Sequence, residues 1–128
     1  TILRTADALE VPIVLLDGCA DAYNPKTVRA SMGAVFRTQP QHLTREAAVA
    51  ACREAGIPLL ATAMSSDAAD LREADLGASA VIIGSEGQGI CQTLFDAAEQ
   101  KIIIPMSPRC ESLNAAVAAT IVMWQMKR

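Results

Sequence analysis

The chain has 128 residues, 52% of them apolar, which suffices for the core of one ordinary domain. Its formal net charge is −3, so it has no chain-wide basic footprint for nucleic acid, and any basic patch must be local. No run reaches the ~18 consecutive apolar residues of a membrane helix, so no membrane partner is expected.

Leu3, Ala6 and Leu9 recur at helical spacing, so the chain opens in a helix over 1–9. A helix that begins at once, without methionine, implies residues upstream. VPIVLL (11–16) reads as a strand. Asn24 as N-cap and Pro25 at the first helical position predict a helix along NPKTVRASMGAVF. His42, the only histidine, lies in the polar stretch RTQPQHLT and is expected on an exposed loop. Thr44 caps a helix, REAAVAACREAG, that ends at Gly56. IPLLATA (57–63) is the second strand, SSDAADLREAD a loop with a short helix, and ASAVIIG (78–84) the third strand. A helix over 90–100 and the strand KIIIPM (101–106) follow. The last helix starts near Ser112 and carries Leu113, Val117, Ile121 and Trp124 along one face. Trp124 is expected to anchor the core or a dimer interface, and Met64, Met106 and Met123 to fill the core.

Strands that alternate with helices predict an α/β fold, a parallel sheet with helices on both faces. The strands are apolar without polar alternation, as burial on both faces requires. In such sheets ligands bind at the carboxyl ends of strands, here the loops after 16, 63, 84 and 106. Cys19, Cys52, Cys91 and Cys110 form no C-x-x-C pair. They suit reduced, mostly buried thiols of a cytoplasmic protein, and no metal site is expected.

The segment VIIGSEGQGI (81–90) poses the central question. Gly84 and Gly89 have the spacing of a P-loop, but Ile90 and Cys91 stand where Lys and Ser or Thr are required. A dinucleotide fingerprint starting at Gly87 would need glycine where Gln92 stands. Glu86 would also repel a pyrophosphate. The loop therefore suits a neutral or cationic ligand, or it is a plain turn whose Glu86 favours the positive end of the next helix. In IIIPMSPRCESLNAAVAA, Ser112 and Asn114 open the last helix; a serine there is ordinarily an N-cap, whereas Asn114 invites a further role.

TILRTADAL, VIIGSEGQGI and IIIPMSPRCESLNAAVAA resemble, in combination and order, the three motifs of the SPOUT methyltransferases, in the SpoU/TrmH branch. DGCADAYNPKTVRASMGAVFR (17–37) is similar to the middle segment of that branch. The resemblance implies a Rossmann-like parallel fold with a C-terminal trefoil knot, in a homodimer whose site is completed across the interface. It implies an RNA 2′-O-ribose methyltransferase that uses S-adenosylmethionine, with rRNA favoured over tRNA. The cofactor-binding residues would be Thr62, Ala63, Gly84, Glu86, Gly87, Ile104, Met106, Ser112 and Leu113. A sulfonium ligand without phosphate makes Glu86 tolerable.

The catalytic arginine implied by the family is Arg4, with Glu86, Ser112 and Asn114 orienting it or the nucleotide. Arginine is a poor base, so Arg4 would fix a phosphate and stabilise the developing alkoxide. In isolation it would be an ordinary solvated helix arginine. Lys26, Arg29 and Arg37 would contact RNA phosphates, or form a solvated helix face. The strand and turn that open the family's first motif are missing, and so is an amino-terminal RNA-binding domain. The 128 residues are then the catalytic domain. Two alternatives stand beside this: a non-catalytic RNA- or cofactor-binding module, and an unrelated nucleotide-binding α/β enzyme.

Overall fold

A computed structural model describes residues 1–17, 21–84, 89–110 and 113–127. The chain divides into two compact units, Thr1–Ala48 and Val49–Arg128. Among the described residues no helix is long and apolar enough to cross a membrane.

The first unit holds α1 (Ile2–Leu9), β1 (Val14–Leu16), α2 (Pro25–Ala30), α3 (Ala34–Thr38) and β2 (Gln41–Leu43). The first helix buries Leu3 and Ala6 and stops at Glu10, whose φ of 57° is left-handed. Leu3, Ala22 and Val35 form the core here, with Ile13, Leu15 and Val28 packed around them. The parallel pairing of β1 with β2 sets Val14 opposite Gln41 and Leu16 opposite Leu43. Sequence periodicity gives no sign of β2, since its three residues are mostly exposed and polar. His42 is exposed, on this strand rather than on a loop.

Asn24 caps α2 as expected, accepting from the Thr27 N–H at 2.9 Å. The long helix expected after it is instead two short ones. Ser31 makes the corner: its hydroxyl, wholly buried, donates to the Val28 carbonyl at 2.9 Å and accepts from the Val35 N–H at 3.4 Å. Met32 and Gly33 follow with φ of 55° and 84°, values that no right-handed helix contains.

The helix α4 (Arg45–Ala55) runs across the boundary between the units. Thr44 caps it, accepting from the Ala47 N–H at 3.1 Å, and Gly56 follows its end with φ 68°.

The second unit holds β3 (Leu59–Thr62), β4 (Ala69–Asp70), β5 (Ala80–Ile82), α5 (Gln92–Ala97), β6 (Gln100–Ile103) and α6 (Ala115–Met126). Its sheet has the order β4-β6-β3-β5, and every pair is parallel. Leu60, Leu71, Leu76, Ile102 and Val122 form the core, so the last helix packs on the sheet through Val122. The segment expected to hold a short helix forms β4 and turns instead, with the Leu71 N–H bonded to the Ile103 carbonyl at 2.9 Å.

Several expectations about burial are corrected. Val117, Ile121 and Trp124 stand exposed, Trp124 by 63%; α6 buries Ala119, Val122 and Met123. The helix is apolar all round, so its pattern does not distinguish inside from outside. Met64 is also exposed and Met106 half-buried; Met123 does fill the core. Cys110 is an exposed free thiol, while Cys52 and Cys91 are half-buried; Cys19 lies outside the described residues.

Candidate cofactor and RNA site

In a parallel sheet all carboxyl ends lie along one edge. Leu60 pairs with Val81 on one side and with Gln100 on the other, which makes β3 the centre. The chain leaves β5 on one flank of β3 and returns as β6 on the other. In open parallel sheets a reversal of this kind marks the carboxyl end of the central strand as the place where a ligand is expected. Thr62, Ala63, Gly84 and Ile104, four of the residues expected to bind cofactor, emerge at that edge.

The edge is held tightly. The Thr62 hydroxyl donates to the Ile82 carbonyl at 3.1 Å, while the Ala63 N–H donates to the Ile102 carbonyl at 2.9 Å. The end of β3 is thus tied to both neighbours. Gly84 lies where its chain passes Gly89: a Cβ on Gly84 would fall 2.6 Å from the Gly89 carbonyl carbon and 2.9 Å from the Ile90 nitrogen. Only glycine permits this approach. Ile104 packs against the core cluster.

Met106 and Leu113, half-buried, lie in the β6–α6 connection, beyond the strand pairing. Asn114 is the N-cap of α6, with its side-chain oxygen accepting from the Ala116 N–H at 2.8 Å and the Val117 N–H at 3.3 Å. The cap expected at Ser112 therefore falls to Asn114. Glu86, Gly87 and Ser112 lie outside the described residues. None of the described residues expected to bind cofactor carries a charge. Apolar side chains and backbone groups of this kind are what an adenosyl thioether compound needs.

A cleft of about 390 Å³ adjoins Ala63, lined also by Met64, Ser65, Gln92, Phe95, Asp96 and Lys101. Sequence reading did not single out this group. Lys101 lies 3.6 Å from Asp67 and 5.9 Å from the centre of the Phe95 ring. The Ser65 hydroxyl donates to Asp67, and together with the Lys101 ammonium it lowers the Asp67 carboxyl below its ordinary range. Among the described residues no group of His, Cys, Asp and Glu could hold a metal ion.

The residues expected to serve catalysis or RNA in the first unit are Arg4, Lys26, Arg29 and Arg37. Arg4 is exposed on α1. Lys26 and Arg29 are exposed on α2. Arg37 on α3 is committed to Asp7, with Nε and Nη2 each 2.8 Å from Oδ2.

The profile of the SpoU rRNA Methylase family matches residues 1–124. The chain belongs to this family.

A 23S rRNA (guanosine(2553)-2′-O)-methyltransferase of Bacillus subtilis is 32% identical over 128 residues, which are 99% of this chain and 52% of the relative. A tRNA (guanosine(18)-2′-O)-methyltransferase of Escherichia coli is 33% identical, over 99% of this chain and 56% of its own length. The crystal structure of an AdoMet-bound rRNA methyltransferase from Sinorhizobium meliloti superposes with a TM-score of 0.91 at 33% identity, over 100% of this chain and 50% of that one. The chain spans about half the length of these relatives.

Proposed function

We propose that this chain is the catalytic domain of an RNA 2′-O-ribose methyltransferase that uses S-adenosylmethionine, with rRNA its substrate ahead of tRNA. The observation that carries the reading is that Thr62, Ala63, Gly84 and Ile104 lie along the carboxyl edge of one parallel sheet in a chain of the SpoU family. Relatives acting on both RNA classes support the activity. The rRNA preference rests on the family-like 17–37 segment.

The cofactor supplies an electrophilic methyl group on a sulfonium. Thr62, Ala63, Gly84, Ile104, Met106 and Leu113 would hold it, with Glu86, Gly87 and Ser112. The chain's own task is to hold the ribose 2′-hydroxyl, help remove its proton and stabilise the alkoxide. Arg4 carries the charge stabilisation and grips a phosphate. Asn114 fixes the start of α6 and so orients the preceding loop. Glu86 and Ser112 assist. Lys26 and Arg29 meet phosphates, and Arg37 joins them on release from Asp7.

The carboxyl-terminal segment forms the family's trefoil knot, and the protein works as a cytoplasmic homodimer. The exposed apolar side of α6, at Val117, Ile121 and Trp124, supports the dimer, since burial of such a stripe favours association.

Calorimetric titration of the whole protein with S-adenosylhomocysteine tests the cofactor, with ATP and NAD as controls. Saturable binding of that ligand alone is expected; its absence in folded protein sinks the reading. Arg4→Ala should leave this binding nearly unchanged and lower methyl transfer at least about a hundredfold. Equal activity would remove Arg4 from the chemistry.

A further inference from the structure

The chain's only tyrosine and one of its two phenylalanines stand side by side on the surface of the first unit, ring centres 6.3 Å apart and tilted by 42°. Tyr23 is 49% exposed and Phe36 59%. Met32, 65% exposed, comes from the corner between the two helices. In a globular domain, rings of this size are expected to be largely covered.

The structure spends local order on this arrangement. The Asp21 carboxylate holds the Tyr23 N–H at 3.0 Å, and the Asn24 amide donates to the Asp21 carbonyl at 2.7 Å. On the other side the buried Ser31 hydroxyl fixes the corner that turns Phe36 back towards Tyr23. Met32 is held in left-handed backbone, φ 55°, although it is not glycine and gains little burial there.

Charge identifies the partner. Residues 22–44 include Lys26, Arg29 and Arg37 and no carboxylate, so all 14 Asp and Glu residues of the chain lie elsewhere. Asp21 borders the segment at Tyr23 and Arg37 is paired with Asp7, which leaves Lys26 and Arg29 as its other exposed cations. Lys26 and Arg29 are exposed on α2, between the two rings in sequence. Aromatic faces beside exposed cations are the recognition chemistry of unpaired nucleotides: the ring takes the base and the cation takes the phosphate. Duplex RNA hides its base faces and offers no stacking.

We infer that Tyr23 and Phe36 form a stacking platform for an unpaired base of the RNA, with phosphate contacts from Lys26 and Arg29. The inference rests on the RNA methyltransferase reading and adds what that reading leaves open. The substrate presents a single-stranded or looped-out nucleotide to this surface.

The test uses the whole protein and two fluorescein-labelled probes, an oligo(U) strand and an RNA duplex of equal length, followed by anisotropy at fixed salt. Wild-type protein should bind the single strand more tightly than the duplex. Y23A/F36A should weaken single-strand binding about tenfold or more, the scale of lost base stacking, and barely change duplex binding. The aromatic-preserving F36Y should retain wild-type affinity. S-adenosylhomocysteine titration and sedimentation are run on each protein.

Unchanged single-strand affinity in Y23A/F36A overturns the platform. If cofactor binding persists in that experiment, the enzymatic reading survives the loss. A fall in mass of Y23A/F36A by sedimentation also overturns the platform, because the patch would then join copies of the chain. Failure of the wild type to bind the single strand overturns it as well. Failure to bind S-adenosylhomocysteine in addition brings down the function on which it rests.

Discussion

The hydroxyl of Thr62 and the carbonyl of Ile82, 3.1 Å apart, lock the carboxyl end of the central strand to its neighbour. Thr62→Val keeps the shape and removes the donor. It should cost about 1 kcal/mol of stability and weaken S-adenosylhomocysteine binding a few-fold. Thr62→Ser should restore both. Denaturant midpoints at unchanged m-value and calorimetry check this.

Gly84→Ala places its methyl group against the backbone of Gly89 and Ile90, and backbone cannot swing aside as a side chain can. We expect a loss of about 1–3 kcal/mol and at least about tenfold in cofactor affinity. Gly56→Ala is the contrasting case. Nothing lies within 4 Å of its added carbon, yet its φ of 68° is left-handed. It should cost about 1 kcal/mol and leave cofactor affinity unchanged. Thermal unfolding with a parallel titration separates the two.

Asn114→Ala removes the cap of α6 and should cost about 1 kcal/mol. Asn114→Asp retains an accepting oxygen at the positive helix end, so it should regain stability and methyl transfer to within a few-fold. A stable Asn114→Asp protein that has lost activity about a hundredfold would instead put the amide on the nucleotide.

The Arg72 guanidinium, with Nη2 2.6 Å from Asp70, holds the Asp70 carboxyl down at about 2, below its ordinary 3.8. The folded value lies below the unfolded one, so this stabilisation is present above the ordinary value and lost as pH falls towards 2. Arg72→Gln should therefore destabilise the protein near neutrality and match wild type in strong acid. Urea midpoints at about pH 6 and about pH 2 test the convergence. Arg72 is mostly exposed and Asp70 only half-buried, so the effect should be small and should shrink with added salt.

Long apolar runs were the legible part of the fold. β3, β5 and β6, the helices α1 and α4, and the caps at Asn24 and Thr44 stand where pattern and capping chemistry put them. β2 and β4 were not legible, because short, polar strands take their identity from a neighbour. The single helix expected over NPKTVRASMGAVF fails at Met32 and Gly33, where a buried serine redirects the chain despite continuous periodicity. α6 was placed correctly but turned inside out, since it is apolar on both sides. For the site, the motifs named Thr62, Ala63, Gly84 and Ile104, which the fold sets along one sheet edge, while the paired rings at Tyr23 and Phe36 left no sequence signal. Their proximity arises only from the folded corner.

Trp124 is the only tryptophan of the chain, and it looks outward from α6. Its emission is therefore a reporter of what covers that helix rather than of the interior. A solvated indole emits at long wavelength whether the protein is folded or not, so denaturation of uncovered chains should shift the spectrum little. Dilution of an assembled form should shift it to the red with no loss of helical signal. For this chain, the indole would thus gauge the association proposed through α6 separately from folding.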